Sequence, residues 1–165
     1  MEIKISADFG SQMRAKVLEF ESKAQIELST NQRILLCEVG TVEQTLSLIV
    51  DSPITVKDIQ QEVSGDWIIR SVWLCNEHGN KLIHAKTEYY LPNIPAEIKK
   101  AIEHMGIGSS LMHYDVDTRR RVVEFGYDKQ GANRVWRRYE IWSSNKIMFD
   151  ITESFDLHDK ILSKA

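Results

Sequence analysis

The chain has 165 residues, a length that suits one domain, and its 21 Lys and Arg against 24 Asp and Glu give a formal net charge of −3. A hydrophobic fraction of 42% excludes an intrinsically disordered chain, because such chains are poorer in apolar residues and more strongly charged. The slight acidity argues against nucleic-acid binding by phosphate neutralisation, and no apolar run approaches the roughly 18 residues of a membrane-spanning helix.

The first part of the chain has the apolar spacing of helices. Three helices are predicted before residue 51, at 11–25, at 29 to about 40, and at 41–50. Ser11 and Ser29 are expected to cap the first two. Thr41, with Gln44 three residues later, has the form of a capping box at the start of the third.

After residue 53 the apolar period changes to two, which is typical of strands. Strands are predicted at 54–61, 67–75, 81–90, 119–125, 134–142 and 147–157. A helix should begin at Pro95 and end at a Gly106 cap, and 106–110 should form a flexible loop able to act as a lid. Since no long crossover helix separates the later strands, we expect one α+β domain over 1–165 with a largely antiparallel sheet.

Cysteine and histidine give no pattern typical of a metal site. Cys37 and Cys75 lie far apart, and no two of the five histidines stand four residues apart. The first five residues lack the apolar core of a signal peptide, so a cytoplasmic protein with reduced thiols and no membrane partner is expected.

The last predicted strand carries a carboxylate on its apolar side. Its odd-numbered positions are apolar except Glu153, and its even-numbered positions are mostly polar. Residues two apart share a face of a strand, so Glu153 is expected to point toward the core, where a carboxylate must be paired or hydrogen-bonded. A glutamate at a strand end that reaches solvent is the alternative. Phe155 and Leu157 beyond it disfavour that reading, and a functional Glu153 is favoured.

The strand at 67–75 is apolar on both faces, the pattern of an interior strand covered on both sides. Arg70 is its only ionic residue, and a buried guanidinium needs an anion, which could be Glu153 or a ligand. A buried Arg–Glu pair that only joins two strands gains little, because desolvation offsets the Coulomb attraction. A ligand-facing Arg70 is therefore the more attractive interpretation.

Two groups of arginines, at 119–121 and at 134, 137 and 138, invite a nucleic-acid interpretation. Alternation spreads each group over both faces of a strand, and acidic residues stand between them. We interpret them as solvated surface or local ion pairs and predict no nucleic-acid partner.

Short motifs follow in a fixed order between residues 28 and 157. They are GTV at 40–42, IIR at 68–70, LC at 74–75, IG at 107–108, EFGYD at 124–128 and TESF at 152–155, with arginines at 120, 134, 137 and 138. In this order and spacing the chain resembles the chorismate lyase family and its less characterised microbial relatives. Residues 1–27 lie outside the resemblance and are expected to form an N-terminal helical extension.

The resemblance implies an enzyme that converts chorismate to 4-hydroxybenzoate and pyruvate without a metal or organic cofactor. It also implies a single antiparallel sheet flanked by helices that enclose an internal ligand pocket. Arg70 matches the family arginine that binds the ring carboxylate. Glu153 matches the carboxyl group at the opposite end, near the ring hydroxyl and the leaving enolpyruvyl ether. Val42 and Ile107 match apolar positions that contact the ligand largely through main chain, and Lys86 falls near a second family arginine.

Two departures from the family pattern concern the substrate. Val42 replaces a larger, unbranched residue, which would enlarge the pocket, and Lys86 keeps a charge but loses the two-pronged geometry of arginine. The alternatives to a chorismate lyase are a non-catalytic module of the same fold that binds an aromatic carboxylate, and a lyase for a related enolpyruvyl or cyclohexadiene carboxylate. Such modules follow a DNA-binding segment, for which 27 residues are too short, so the lyase is the leading hypothesis.

Overall fold

A computed structural model describes residues 2–6, 12–129, 131 and 133–163, and its centre is one seven-stranded sheet. The strands are β1 (Glu2–Ser6), β2 (Thr55–Ser64), β3 (Trp67–Cys75), β4 (Lys81–Tyr90), β5 (Arg119–Asp128), β6 (Arg134–Ser143) and β7 (Lys146–Asp156). Their order across the sheet is β1-β5-β6-β7-β4-β3-β2, and every neighbouring pair is antiparallel. The predicted α+β class with a single antiparallel sheet is confirmed.

Five α-helices complete the described part of the chain. They are α1 (Met13–Ala24), α2 (Thr30–Cys37), α3 (Val42–Val50), α4 (Ala96–Ala101) and α5 (Ile107–His113). The capped start of α2 shows why the chain turns helical there: Ser29 Oγ accepts from the Gln32 amide at 3.2 Å, and Gln32 Oε1 accepts from the Ser29 amide at 2.9 Å. Ser11, the cap expected for α1, lies outside the described residues. No helix among those described has the length and apolarity to cross a membrane.

The predicted capping box at Thr41 is wrong. The Thr41 side chain makes no cap hydrogen bond, because its hydroxyl donates instead to the sulfur of Met112 on α5, at 2.9 Å. A tertiary contact between α3 and α5 thus replaces the local one.

The assignment of Gly106 as a helix C-cap and of 106–110 as a flexible loop is also wrong. Gly106 is the N-cap of α5, and the Ser110 amide and hydroxyl both donate to its carbonyl, at 3.0 and 2.8 Å. A Cβ at Gly106 would lie 1.6 Å from Oε1 of Glu43, so a side chain at this position would require the Glu43 carboxylate to move.

Strand β1 was missed, since residues 1–27 were expected to be helical. It pairs with β5 at the edge of the sheet, with Ile5 opposite Phe125. Its apolar alternation covers only Ile3 and Ile5, and five residues are too few to distinguish a strand by period.

The two faces of the sheet differ. Along β3, Arg70, Val72 and Leu74 are at most 4% exposed, and they face the helices. The other face is half-open, with Trp67 57% exposed, so the expectation that β3 is covered on both sides is wrong. Side chains on that open face shelter one another; the Trp73 ring, for example, lies 4.9 Å from that of His84.

Candidate active site

A pocket lies between the helix-covered face of the sheet and the N-terminal ends of α3 and α5. The cavity itself is small, with a volume of about 30 Å³. Six strands of the sheet, β2 to β7, line it, and half of the side chains that they contribute are aliphatic. The polar lining groups are therefore set in an apolar surround, where their charges are weakly screened.

Four of the five residues that the sequence assigned to a ligand site line this one pocket. Arg70 comes from β3 and Glu153 from β7, while Val42 opens α3 and Ile107 opens α5. Arg70 and Glu153 are far apart in sequence and are brought together because β4, which pairs with β3, is also the neighbour of β7 in the sheet.

The fifth, Lys86, was assigned wrongly. It lies on β4 between Ala85 and Thr87, which do line the pocket, so alternation turns it to the opposite face. Its side chain is 52% exposed, and its Nζ lies 3.7 Å from Oε1 of Glu88. Lys86 cannot reach the pocket through the sheet.

Glu153 is buried, at 4% exposure, and both its oxygens are held by side chains of β6. Oε2 accepts from Arg137 Nε at 2.9 Å and from Arg137 Nη2 at 2.8 Å, and Oε1 accepts from the Tyr139 hydroxyl at 2.8 Å. The strand register explains this arrangement, since Arg137 stands directly opposite Glu153. The partner of Glu153 is thus Arg137 and not Arg70.

Arg137 is the residue that the sequence analysis misjudged most. It was grouped with solvated arginines, yet it is 2% exposed, and it also donates to the Glu38 backbone carbonyl and lies 3.4 Å from Oε2 of Glu38. Its neighbour Arg138 does form a local ion pair, with Asp150 at 2.8 Å, on the open face. Burial alone would lower the pKa of Arg137, but its anionic neighbours, Glu153 first, outweigh it and raise that pKa.

Tyr139 was not predicted either. Burial, followed by the adjacent Glu153 carboxylate, raises the pKa of Tyr139 well above its ordinary value, so the phenol donates its proton in a hydrogen bond and does not ionise. The signal for both missed residues was available, because Val135, Arg137, Tyr139 and Ile141 share one parity of β6.

Arg70 makes no ion pair within the part of the chain that the structure describes. Its Nη2 donates to the backbone carbonyls of Ile102 and Met105, at 3.0 and 3.1 Å, in the connection from α4 to α5. Its Nε is buried and has no partner among the described residues. Burial lowers the pKa of Arg70, and Tyr89 and Glu43 oppose that effect. A fixed guanidinium with a free donor is suited to binding an anion.

A second carboxylate, that of Glu43, enters the pocket from the first turn of α3. It accepts hydrogen bonds from the backbone and side chain of Ser109, in the first turn of α5. Burial raises the pKa of Glu43; Ser109 and Arg70 act against the rise, and Glu153 adds to it. An acidic residue in a first helical turn is ordinary, so nothing in the sequence singled it out.

The remaining polar groups complete the pocket. Arg120 of β5 lies in the wall near Tyr139, and Thr87 adds a hydroxyl from β4. Within the described residues, no group of three or more His, Cys, Asp or Glu side chains could hold a metal ion. The arrangement can therefore bind anions at its arginines and accept a proton or a hydrogen bond at Glu153.

Comparison with known families supports the same region of the chain. A family model described as "Chorismate pyruvate-lyase Rv2949c-like" matches residues 28–162, more than four-fifths of the sequence, and that range includes every residue that lines the pocket. The match confirms the resemblance drawn from the sequence. A search of curated proteins gives no significant match.

Proposed function

The chain belongs to the Rv2949c-like chorismate pyruvate-lyase family, and we propose that it converts chorismate to 4-hydroxybenzoate and pyruvate in the pocket beneath α3 and α5. The observation that carries the proposal is the state of Arg70. The residue is 2% exposed, two backbone carbonyls accept hydrogen bonds from its guanidinium, and its Nε has no partner among the described residues. A buried cation of this kind calls for an anion, and chorismate carries a carboxylate on its ring.

Arg70 and Glu153 would orient the ring between them. They lie on β3 and β7 with β4 between, so their backbones are about 10 Å apart across the sheet, at about 4.8 Å per strand. The ring carboxylate and the ring hydroxyl of chorismate stand at opposite ends of the molecule. With the carboxylate at Arg70, the hydroxyl end points toward Glu153, and the aliphatic floor contacts the ring between them.

The reaction is a redox-neutral elimination. The hydrogen at the hydroxyl-bearing ring carbon leaves as a proton, and its bonding electrons complete the aromatic ring. The C–O bond to the neighbouring enolpyruvyl group breaks, and its electron pair leaves with the oxygen of enolpyruvate, which takes up a proton and becomes pyruvate. Because aromatisation drives the reaction, positioning and one base suffice.

Glu153 is the carboxylate placed to accept the ring proton. Arg137 and Tyr139 hold it from behind, so its position does not depend on the ligand. Such support from neighbouring side chains fixes the geometry that general-base catalysis needs. Burial in the pocket also keeps water away from the departing enolpyruvate.

The direct test is incubation of the purified protein with chorismate, with 4-hydroxybenzoate measured by chromatography and pyruvate by a coupled dehydrogenase. We expect both products in equal amounts, at a rate well above spontaneous breakdown in a sample without protein. No product above that background, together with tight binding of 4-hydroxybenzoate, would replace the lyase by a binding module of the same fold. Turnover of a related enolpyruvyl carboxylate in place of chorismate would reassign the substrate.

A further inference from the structure

Some arginines around the pocket have a carboxylate partner in the described part of the chain, and others do not. Arg137 lies behind Glu153, and its donors are engaged by Glu153 and Glu38. Arg70 and Arg120 both line the pocket, and neither forms an ion pair with another described residue. The pocket therefore presents two available cations, while the proposed reaction product has only one carboxylate.

Arg120 is distinguished from its sequence neighbours by where it faces. Arg119 and Arg121 are exposed, and the Arg119 guanidinium lies 5.1 Å from the Trp142 ring centroid. Arg120 is half-buried in the pocket wall, and its positive charge slightly opposes the rise in the pKa of the Tyr139 phenol that burial and Glu153 cause. The Arg120 guanidinium makes no hydrogen bond to any other residue that the structure describes, so its donors are available to an anion in the pocket.

The two cations stand at opposite ends of the pocket. Arg70 is on β3 and Arg120 on β5, with β4, β7 and β6 between them. Four inter-strand spacings of about 4.8 Å separate their backbones by about 19 Å, and each arginine side chain extends into that gap. Glu153 and Tyr139 lie between the two, on β7 and β6.

We propose that Arg120 binds a second carboxylate of the substrate, the one carried by the enolpyruvyl group, while Arg70 binds the carboxylate on the ring. The inference rests on the proposed function, because it requires a substrate that is an enolpyruvyl dicarboxylate. It places the breaking ether bond between the two anchors, beside Glu153. It also makes Arg120 the residue by which the site distinguishes the dianionic substrate from its monoanionic aromatic product.

The test compares two unreactive aromatic probes by isothermal titration calorimetry. The first is 4-hydroxybenzoate, with one carboxylate, and the second is 3-(carboxymethoxy)-4-hydroxybenzoate, whose ether carries another. Arg120→Gln is expected to raise the Kd of the diacid about 10- to 100-fold, the effect of losing a hydrogen bond to a charged group, and to change that of the monoacid less than about twofold. Arg70→Gln should weaken both probes.

Arg121→Gln is the matched control, since it removes the same charge from the next residue of β5, on the open face. It should leave the ratio of the two affinities unchanged. If Arg120→Gln does not fold, Arg120→Lys keeps the charge without the planar fork and should lower the ratio by a smaller factor. The proposal would be overturned if Arg120→Gln weakened the binding of both probes equally or of neither. It would also be overturned if Arg121→Gln changed the ratio of the two affinities as much as Arg120→Gln does.

The outcome separates this inference from the lyase activity. A protein that prefers the diacid through Arg120 but does not turn over chorismate has the second carboxylate site without the proposed reaction. A protein that makes 4-hydroxybenzoate with the same chorismate KM in wild type and Arg120→Gln is a lyase without that site.

Discussion

At the scale of single residues, Glu153 and its partner Arg137 have effects that must be separated. Glu153→Gln keeps the size of the side chain but removes the proposed base and leaves Arg137 without its closest anion. We expect kcat to fall about 10²- to 10⁴-fold, the contribution typical of a general base, with the Kd of 4-hydroxybenzoate changed less than tenfold. Steady-state kinetics and calorimetry measure the two effects.

Glu38→Gln is the matched control for that variant. Glu38 also pairs with Arg137, at 3.4 Å, but it does not line the pocket. It should lower the melting temperature, because a buried cation loses part of its neutralisation, and should largely preserve kcat. If Glu38→Gln reduces kcat as much as Glu153→Gln does, then Glu153 acts by holding Arg137 and does not take the proton.

The residue scale also shows where sequence reasoning fails. Parity within one strand found Glu153 on β7 and Arg70 on β3, and the same rule applied to β6 would have found Arg137 and Tyr139. Alternation along a strand does not show which charged residues form an ion pair, because that depends on which strands are neighbours in the sheet. For Lys86 the alternation was the better guide. The family resemblance placed Lys86 near the pocket, whereas the alternation along β4 turns its side chain to the opposite face of the sheet.

At the scale of elements, α3 and α5 are joined over the pocket by Glu43. Because burial raises its folded-state pKa above the ordinary value of 4.5, the folded chain binds that proton more tightly than the unfolded chain does. The resulting stabilisation is complete at pH values below 4.5 and is lost as the pH rises through the folded-state pKa. Glu43→Gln cannot ionise and should melt at a higher temperature than wild type at pH 8, with the difference shrinking toward pH 4.5.

The comparison for Glu43→Gln is Glu97→Gln. Glu97 also stands in the first turn of a helix, α4, but it is exposed. Glu97→Gln should lower the free energy of unfolding at pH 8 by about 0.3–1 kcal/mol, because it removes a carboxylate that stabilises the N-terminus of α4. Calorimetric melting curves across the pH range give the sign of each difference. If the difference in melting temperature between Glu43→Gln and wild type stays constant with pH, the pKa of Glu43 is not raised by folding.

Elements with strong local signals were predicted well, and those fixed by distant contacts were not. The hairpin of β3 and β4 was predicted to the residue, because alternation and its turn sit next to each other in sequence. Gly106 was misassigned, since a glycine after a helix normally ends it, whereas here Gly106 begins α5, with an approach by the Glu43 side chain from α3. No local pattern encodes that approach.

At the scale of the whole molecule, the sheet joins chain segments that lie far apart in sequence. Strand β7 pairs with β4, which brings Glu153 beside the hairpin that presents Arg70. The family match begins at residue 28, yet β1 lies before it and covers the edge of β5, the strand that carries Arg120. From α1, Phe20 adds to this cover, with its ring centroid 5.8 Å from that of Phe125. The segment before the match therefore contributes to the same sheet that forms the pocket.

Ile5→Ala tests whether β1 is an integral part of the fold. Ile5 is 6% exposed and stands opposite Phe125, so its truncation should lower the free energy of unfolding by about 2–5 kcal/mol, measured by urea denaturation. Ile5 does not line the pocket, so the Kd of 4-hydroxybenzoate should change less than about twofold. Ile147→Ala is the control, because Ile147 also lies in a strand but is 38% exposed, and it should cost less than about 1 kcal/mol. Equal costs for the two variants would mean that β1 does not pack on β5 in solution and that the sheet ends at β5.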